Sequence, residues 1–170
     1  MRSRKAKWLS GLGAVVLIGI SVLAMAEPWS HNMPSSGRFQ GLANFQNQAV
    51  LDKNTGLVWE RAPDTFGQYQ WVSATITCAV KQVSGTVGWR LPSVIELKSV
   101  QDPSLAPPFV PASVFPNVQS TLYWSATTVD GYPGNAWVVN FFNGNVQSDH
   151  GKPESAQVWC VRGPMQESVY

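Results

Sequence analysis

The 170-residue chain is poor in the residues that do chemistry. It holds two histidines and two cysteines, and only 13% of it is charged. No Cys-x-x-Cys or histidine cluster is present to hold a metal, and no glycine-rich loop to cradle phosphate. Collagen-type Gly-x-y repeats are missing as well. The eight tryptophans follow no fixed period, which excludes a solenoid or propeller. Ten scattered acidic residues nominate no carboxylate pair for glycoside hydrolysis, and His31 and His150 have no neighbours that suggest a triad. What is abundant is apolar: 44% of residues are hydrophobic, enough for one domain with a tryptophan-rich core.

The first residues read as an address. Arg2, Arg4, Lys5 and Lys7 precede an apolar stretch from Leu12 to Leu23 and an Ala24-Met25-Ala26 end. That is the layout of a secretory signal peptide cut after Ala26. The alternative is a retained anchor, since Trp8 to Met25 approaches the lower limit for a span. Residues 27–37 read as a flexible leader, 38–163 as the domain and 164–170 as a C-terminal tail. Without residues 1–26 the chain has 8 Lys and Arg against 10 Asp and Glu, a net charge of −2. This offers no broad attraction to nucleic acid, and membrane contact is expected only through the signal segment during export. In an exported chain, Cys78 and Cys160 are expected to form one disulfide. A reactive thiol or a metal pair is the alternative.

Along the domain, "AVLDKNTGLVWE" alternates around Asn54-Thr55-Gly56, a hairpin signal in which Asp52 folds back on the turn amides. Trp71, Ala74, Thr75, Cys78 and Ala79 share one helical face. In "GWRLPSVIELKSV", Pro92 ends the extended Trp89-Arg90-Leu91 piece, and Ser93 with Glu96 has capping-box spacing. Leu97 and Val100 should face inward with Ile95 or Val94, and Arg90 should pair with a carboxylate or carbonyls. Five prolines in residues 101–119 predict a long ordered loop anchored by Leu105, Phe109, Val110, Val114 and Phe115. Three strand-like runs follow, "TLYWSATTV", "AWVVNFFNGNV" and "QVWCVRG", with Cys160 in the last. The class is α+β with an antiparallel sheet.

The succession "TGLVWE", a Trp seven residues before a Cys, "GWRLPSVIEL", "FP", "YWSAT", "AWVVNFFNG" and "VWCVRG" resembles the family named for the C-terminal domain of the Legionella collagen-like adhesin. The resemblance covers about Arg38 to Gly163. It implies a C-type-lectin-like fold with two short helices, and a Cys78–Cys160 bridge from the first helix to the last strand. It also implies an extracytoplasmic binding module, for a glycan or an envelope or extracellular protein. Calcium-lectin ligand motifs do not carry over: Gln101-Asp102-Pro103 has the wrong order and no Trp-Asn-Asp occurs. No cofactor is therefore expected. Calcium on Asp130, Asn135 or Asp149 is the alternative to plain solvated loop residues. Formylglycine-generating enzymes share a related fold and an "RLP…E" helix start, so an oxidase is a further alternative, after a structural or assembly protein of the envelope. Their chemistry needs two redox-active cysteines, whereas this pair matches a structural bridge. For a binder, the loops between the late strands are the expected surface: Asp130, Tyr132 and Asn135 in "VDGYPGN", and Asn143, Asn145, Asp149 and His150 in "FNGNVQSDHG".

Overall fold

The computed structural model describes residues 35–164, so the signal segment, most of the leader and most of the tail lie outside the described residues. One helical turn, α1 (Ser35–Arg38), starts three residues inside the segment expected to be leader. Strands β1 (Phe39–Gly41), β2 (Ala49–Asp52), β3 (Val58–Glu60), β4 (Trp89–Arg90) and β8 (Val161–Arg162) form one sheet in the order β1-β2-β3-β8-β4. The other sheet is β5 (Leu122–Val129), β6 (Tyr132–Asn140) and β7 (Val146–Gln147). Every strand pair in both is antiparallel. With α2 (Trp71–Ala79), α3 (Val94–Ser99) and the Cys78–Cys160 disulfide, this is the α+β architecture expected.

Strand alternation explains how β5 and β6 serve two cores at once. Successive side chains on a strand point to opposite faces. On β5, Tyr123 therefore enters one core cluster and Trp124 the other, and Val138 and Val139 on β6 divide the same way. The first core gathers Phe45, Ala74, Cys78, Trp89 and Cys160. The second centres on Trp159, whose ring lies 4.7 Å from Trp59 and 5.1 Å from Phe115. The proline-rich loop supplies Val110, Phe115 and Val118 to this second core, so it is packed structure rather than linker.

Local chemistry follows the sequence closely at two turns. Asp52 accepts from the Asn54 amide (3.0 Å) and the Thr55 hydroxyl (2.9 Å), and Gly56 takes φ +72°. Ser93 Oγ accepts from the Glu96 amide while Glu96 Oε2 accepts from the Ser93 amide, a complete capping box. Arg90 grips both Glu96 oxygens at 2.7 and 2.6 Å and also the Gly163 carbonyl. Burial by itself would raise the Glu96 carboxyl, but Arg90 and the Ser93 donors outweigh it and hold it below the ordinary range. Its contribution is fully present above the unfolded carboxylate pKa of about 4.3 and is lost as pH falls through the lower folded value. Urea denaturation from pH 7 to 3 should show a stability gap between wild type and Glu96→Gln that narrows below about pH 4. A constant gap would remove the ionised pair as its source.

Three expectations are corrected and one open choice is resolved. Ala79 is exposed at the end of α2, whose buried residues are Ala74 and Cys78 with Trp71 and Thr75 half-buried. On α3 the open choice between Ile95 and Val94 falls to Val94, which is half-buried against the second core while Ile95 is exposed. "VDGYPGN" is not a loop: Asp130-Gly131, with Gly131 at φ +73°, makes a tight turn and β6 begins at Tyr132. Finally, Cys160 immediately precedes β8 rather than lying in it. The run "QVWCVRG" serves both sheets, with Gln157 bridging Tyr123 before Val161 joins Trp59 and Arg90. No helix among the described residues is long and apolar enough to cross a membrane.

Candidate functional site

The late-strand residues do not form one surface. Asp130 and Tyr132 sit at one end of β6, and Asn143 and Asn145 follow its other end, roughly 25 Å away along the strand. Asn143 Oδ1 accepts from the Asn145 amide at 3.0 Å, which is turn chemistry. Asn135 lies on β6 and donates to the Ser148 carbonyl at 3.2 Å. His150 packs against Trp124 at a tilt of 56° with ring centroids 4.7 Å apart, and its Nδ1 lies 3.3 Å from Glu154 Oε2. Asp149 is exposed beside it. Among the described residues no group of three His, Cys, Asp or Glu is placed to hold a metal ion. Arg90 and Glu96 form the ion pair and Ser93 the cap of α3 described above, and the buried Pro92 accepts the Ala126 amide at its carbonyl.

A polar pocket of about 630 Å³ opens elsewhere, where the segment before β2, the end of β3 and the segment after α2 converge. Its first wall is Gln46, Asn47 and Gln48, and its second includes Lys81 and Gln82. Glu60 and Arg61 lie between them. The first wall is held in an unusual backbone. Gln46 and Asn47 have φ of +52° and +58°, values that cost a non-glycine residue free energy. The surroundings enforce it: the Asn47 amide donates to the Leu42 carbonyl, the Gln48 amide to Phe45, and the Arg61 amide to Gln48. Ser84, also at positive φ (+48°), donates its hydroxyl to the Phe45 carbonyl at 2.6 Å. Of the four non-glycine residues with positive φ among the described residues, three are thus at or beside this pocket.

Glu60 is buried and ion-paired with Lys81. Burial pushes its carboxyl up, aided by the nearby Asp64 charge, and Lys81 and the Cys160 amide offset only part of that. The disulfide stands behind the pair. The Lys81 amide donates to the Cys78 carbonyl and the Glu60 amide to the Cys160 carbonyl, both at 3.1 Å, so each half of the bridge holds one partner. Arg61 is fixed by donation to the Val114 and Asn47 carbonyls. The sequence reading missed this site. Its one available signal was the carboxamide run Gln46-Asn47-Gln48 directly before a strand, next to the "VWERA" that carries Glu60 and Arg61.

A second concavity, about 410 Å³, is apolar: Val94, Ile95, Trp137 and Val146 line it with the stem of Lys98.

The family model of the Lcl C-terminal domain matches residues 48–162, from the residue before β2 to the end of β8. The chain belongs to this family. Within the Lcl C-terminal domain match lie both cysteines, the capping box of α3, and the Glu60, Arg61, Lys81 and Gln82 side of the polar pocket. Gln46 and Asn47 precede the matched span, so the pocket straddles its edge. No curated protein matches the chain.

Proposed function

We propose that the protein is an exported, non-catalytic recognition module that binds a glycan in the polar pocket. One observation carries this reading: strained, tightly bonded backbone gathers around a concavity whose carboxamides make no hydrogen bonds within the described domain. Local strain maintained by surrounding bonds is a feature of binding sites, because it preorganises the wall before the ligand arrives. Carboxamides offer paired donors and acceptors suited to sugar hydroxyls. The signal-peptide-like segment and a buried disulfide support an oxidising compartment, periplasmic or extracellular. Both cysteines are joined and Glu60 is engaged by Lys81, which supports binding over catalysis. The reading needs no metal and no nucleic acid.

A glycan array with and without chelator tests it. Selective binding should survive chelation, be abolished by Gln82→Arg at the pocket and persist in Ile95→Asp at the apolar groove. Loss on chelation would instead assign calcium to the acidic late-loop residues. A blank array would favour the second reading, a protein partner or envelope assembly role on the groove, where Ile95 is 68% exposed beside Trp137 and Val146.

A further inference from the structure

We infer that the polar pocket takes a neutral N-acetylated hexosamine, with the acetamido group as the feature it selects. The inference rests on the pocket being the binding site.

Three properties of the pocket lead there. First, its charged side chains are already engaged. Lys81 is ion-paired with Glu60, and Arg61 donates to the Val114 and Asn47 carbonyls. An anionic or cationic ligand would have to displace an existing partner, whereas a neutral one leaves the pair intact and adds no desolvated charge. Second, the carboxamides of Gln46, Asn47, Gln48 and Gln82 all border the pocket without a hydrogen bond inside the described domain. Each presents a donor pair and an acceptor, and an acetamido group presents one donor and one acceptor in the same planar geometry.

Third, no aromatic residue lines the pocket; its apolar surface is Ala62, Val83 and Pro116. Flat stacking on a sugar ring is therefore not the available apolar contact. A methyl group is: small aliphatic side chains provide a seat for it, and burying one methyl contributes about 0.8 kcal/mol. A plain hexose has hydroxyls for the carboxamides but nothing for that seat, whereas an N-acetylated hexosamine satisfies both. The wall is also preformed, since Arg61 is tied to Val114 and Asn47 and the Gln46–Gln48 backbone is bonded on both sides. Little ordering entropy is then lost on binding.

The test titrates the purified protein with N,N′-diacetylchitobiose, and separately with cellobiose, which has the same linkage and hydroxyls in place of the acetamido groups. Nuclear magnetic resonance follows the side-chain amide signals. The expected result is movement of the Asn47 and Gln82 amide signals with diacetylchitobiose at roughly tenfold lower concentration than with cellobiose. In an Asn47→Gly/Gln82→Ala variant the remaining Gln46 and Gln48 side-chain amide signals should no longer move with diacetylchitobiose at that concentration. Both side chains are exposed and glycine accepts the positive φ of residue 47, so the variant retains the fold. Equal response to the two sugars would overturn the acetamido inference and leave the pocket as a glycan site. No response at these residues to either sugar would overturn both.

Discussion

Replacing Cys78 and Cys160 with alanine is expected to lower the unfolding free energy by about 4.5 kcal/mol, as the chain-entropy model gives for a closed loop of this size. The bridge joins residues 82 apart, with Cα atoms 5.4 Å apart, and so removes much of the freedom of the unfolded chain. Few single changes in this protein should do more, because domains of this size are stable by only about 5–15 kcal/mol. Both sulfurs are buried in the first core, where alanine also leaves unfilled space. Urea denaturation by linear extrapolation measures the loss. A loss below about 1.5 kcal/mol would show that the unfolded chain is already restricted by other means. The variant should also loosen the Glu60–Lys81 pair, since the Cys78 and Cys160 carbonyls hold the two partners' amides.

Arg38→Met should cost about 3–5 kcal/mol, for a different reason. Arg38 meets both Asp52 oxygens, at 2.8 and 2.6 Å, and the Asp52 side chain is wholly buried. Removing the guanidinium leaves a carboxylate without its counter-charge in a place water does not reach, which is where the penalty arises. Arg38 also donates to the Ser99 carbonyl at the end of α3, so the same substitution frees that helix end. Adding Asp52→Asn should recover about half of the loss, because an amide oxygen still accepts from the Asn54 amide while the charge is gone. If the double variant is no more stable than Arg38→Met alone, the cost lies in lost packing of the arginine stem and not in stranded charge.

The contrast between Asp52 and Arg38 shows how far local reading reaches. Asp52 beside Asn54-Thr55-Gly56 announces a turn, since the side chain bonds amides two and three residues on. Its partner Arg38 is 14 residues away and is brought to it by the pairing of β1 with β2. The same division separates the capping box, where Ser93 and Glu96 are three residues apart, from the Gly163 carbonyl that Arg90 also grips. Expectations about the late strands failed for a related reason. Asp130-Gly131 is itself a hairpin signal, and reading Tyr132 to Asn135 as loop overlooked that the turn was already complete.

The sequence by itself determined the elements and their local chemistry: the antiparallel α+β class, the β2–β3 hairpin, both main helices, the α3 cap and the pairing of the only two cysteines. Each depends on residues within a few positions of one another, or on there being no other cysteine to choose. The tertiary structure alone decided where a ligand has room to bind. The polar pocket is assembled from Gln46–Gln48, Glu60–Ala62, Lys81–Val83 and Pro116, segments with no common spacing. Strand pairing and the disulfide bring them together, and the backbone strain at Gln46 and Asn47 exists only because those long-range bonds enforce it. A concavity is a property of surfaces meeting, and no pattern along a single stretch of chain encodes it.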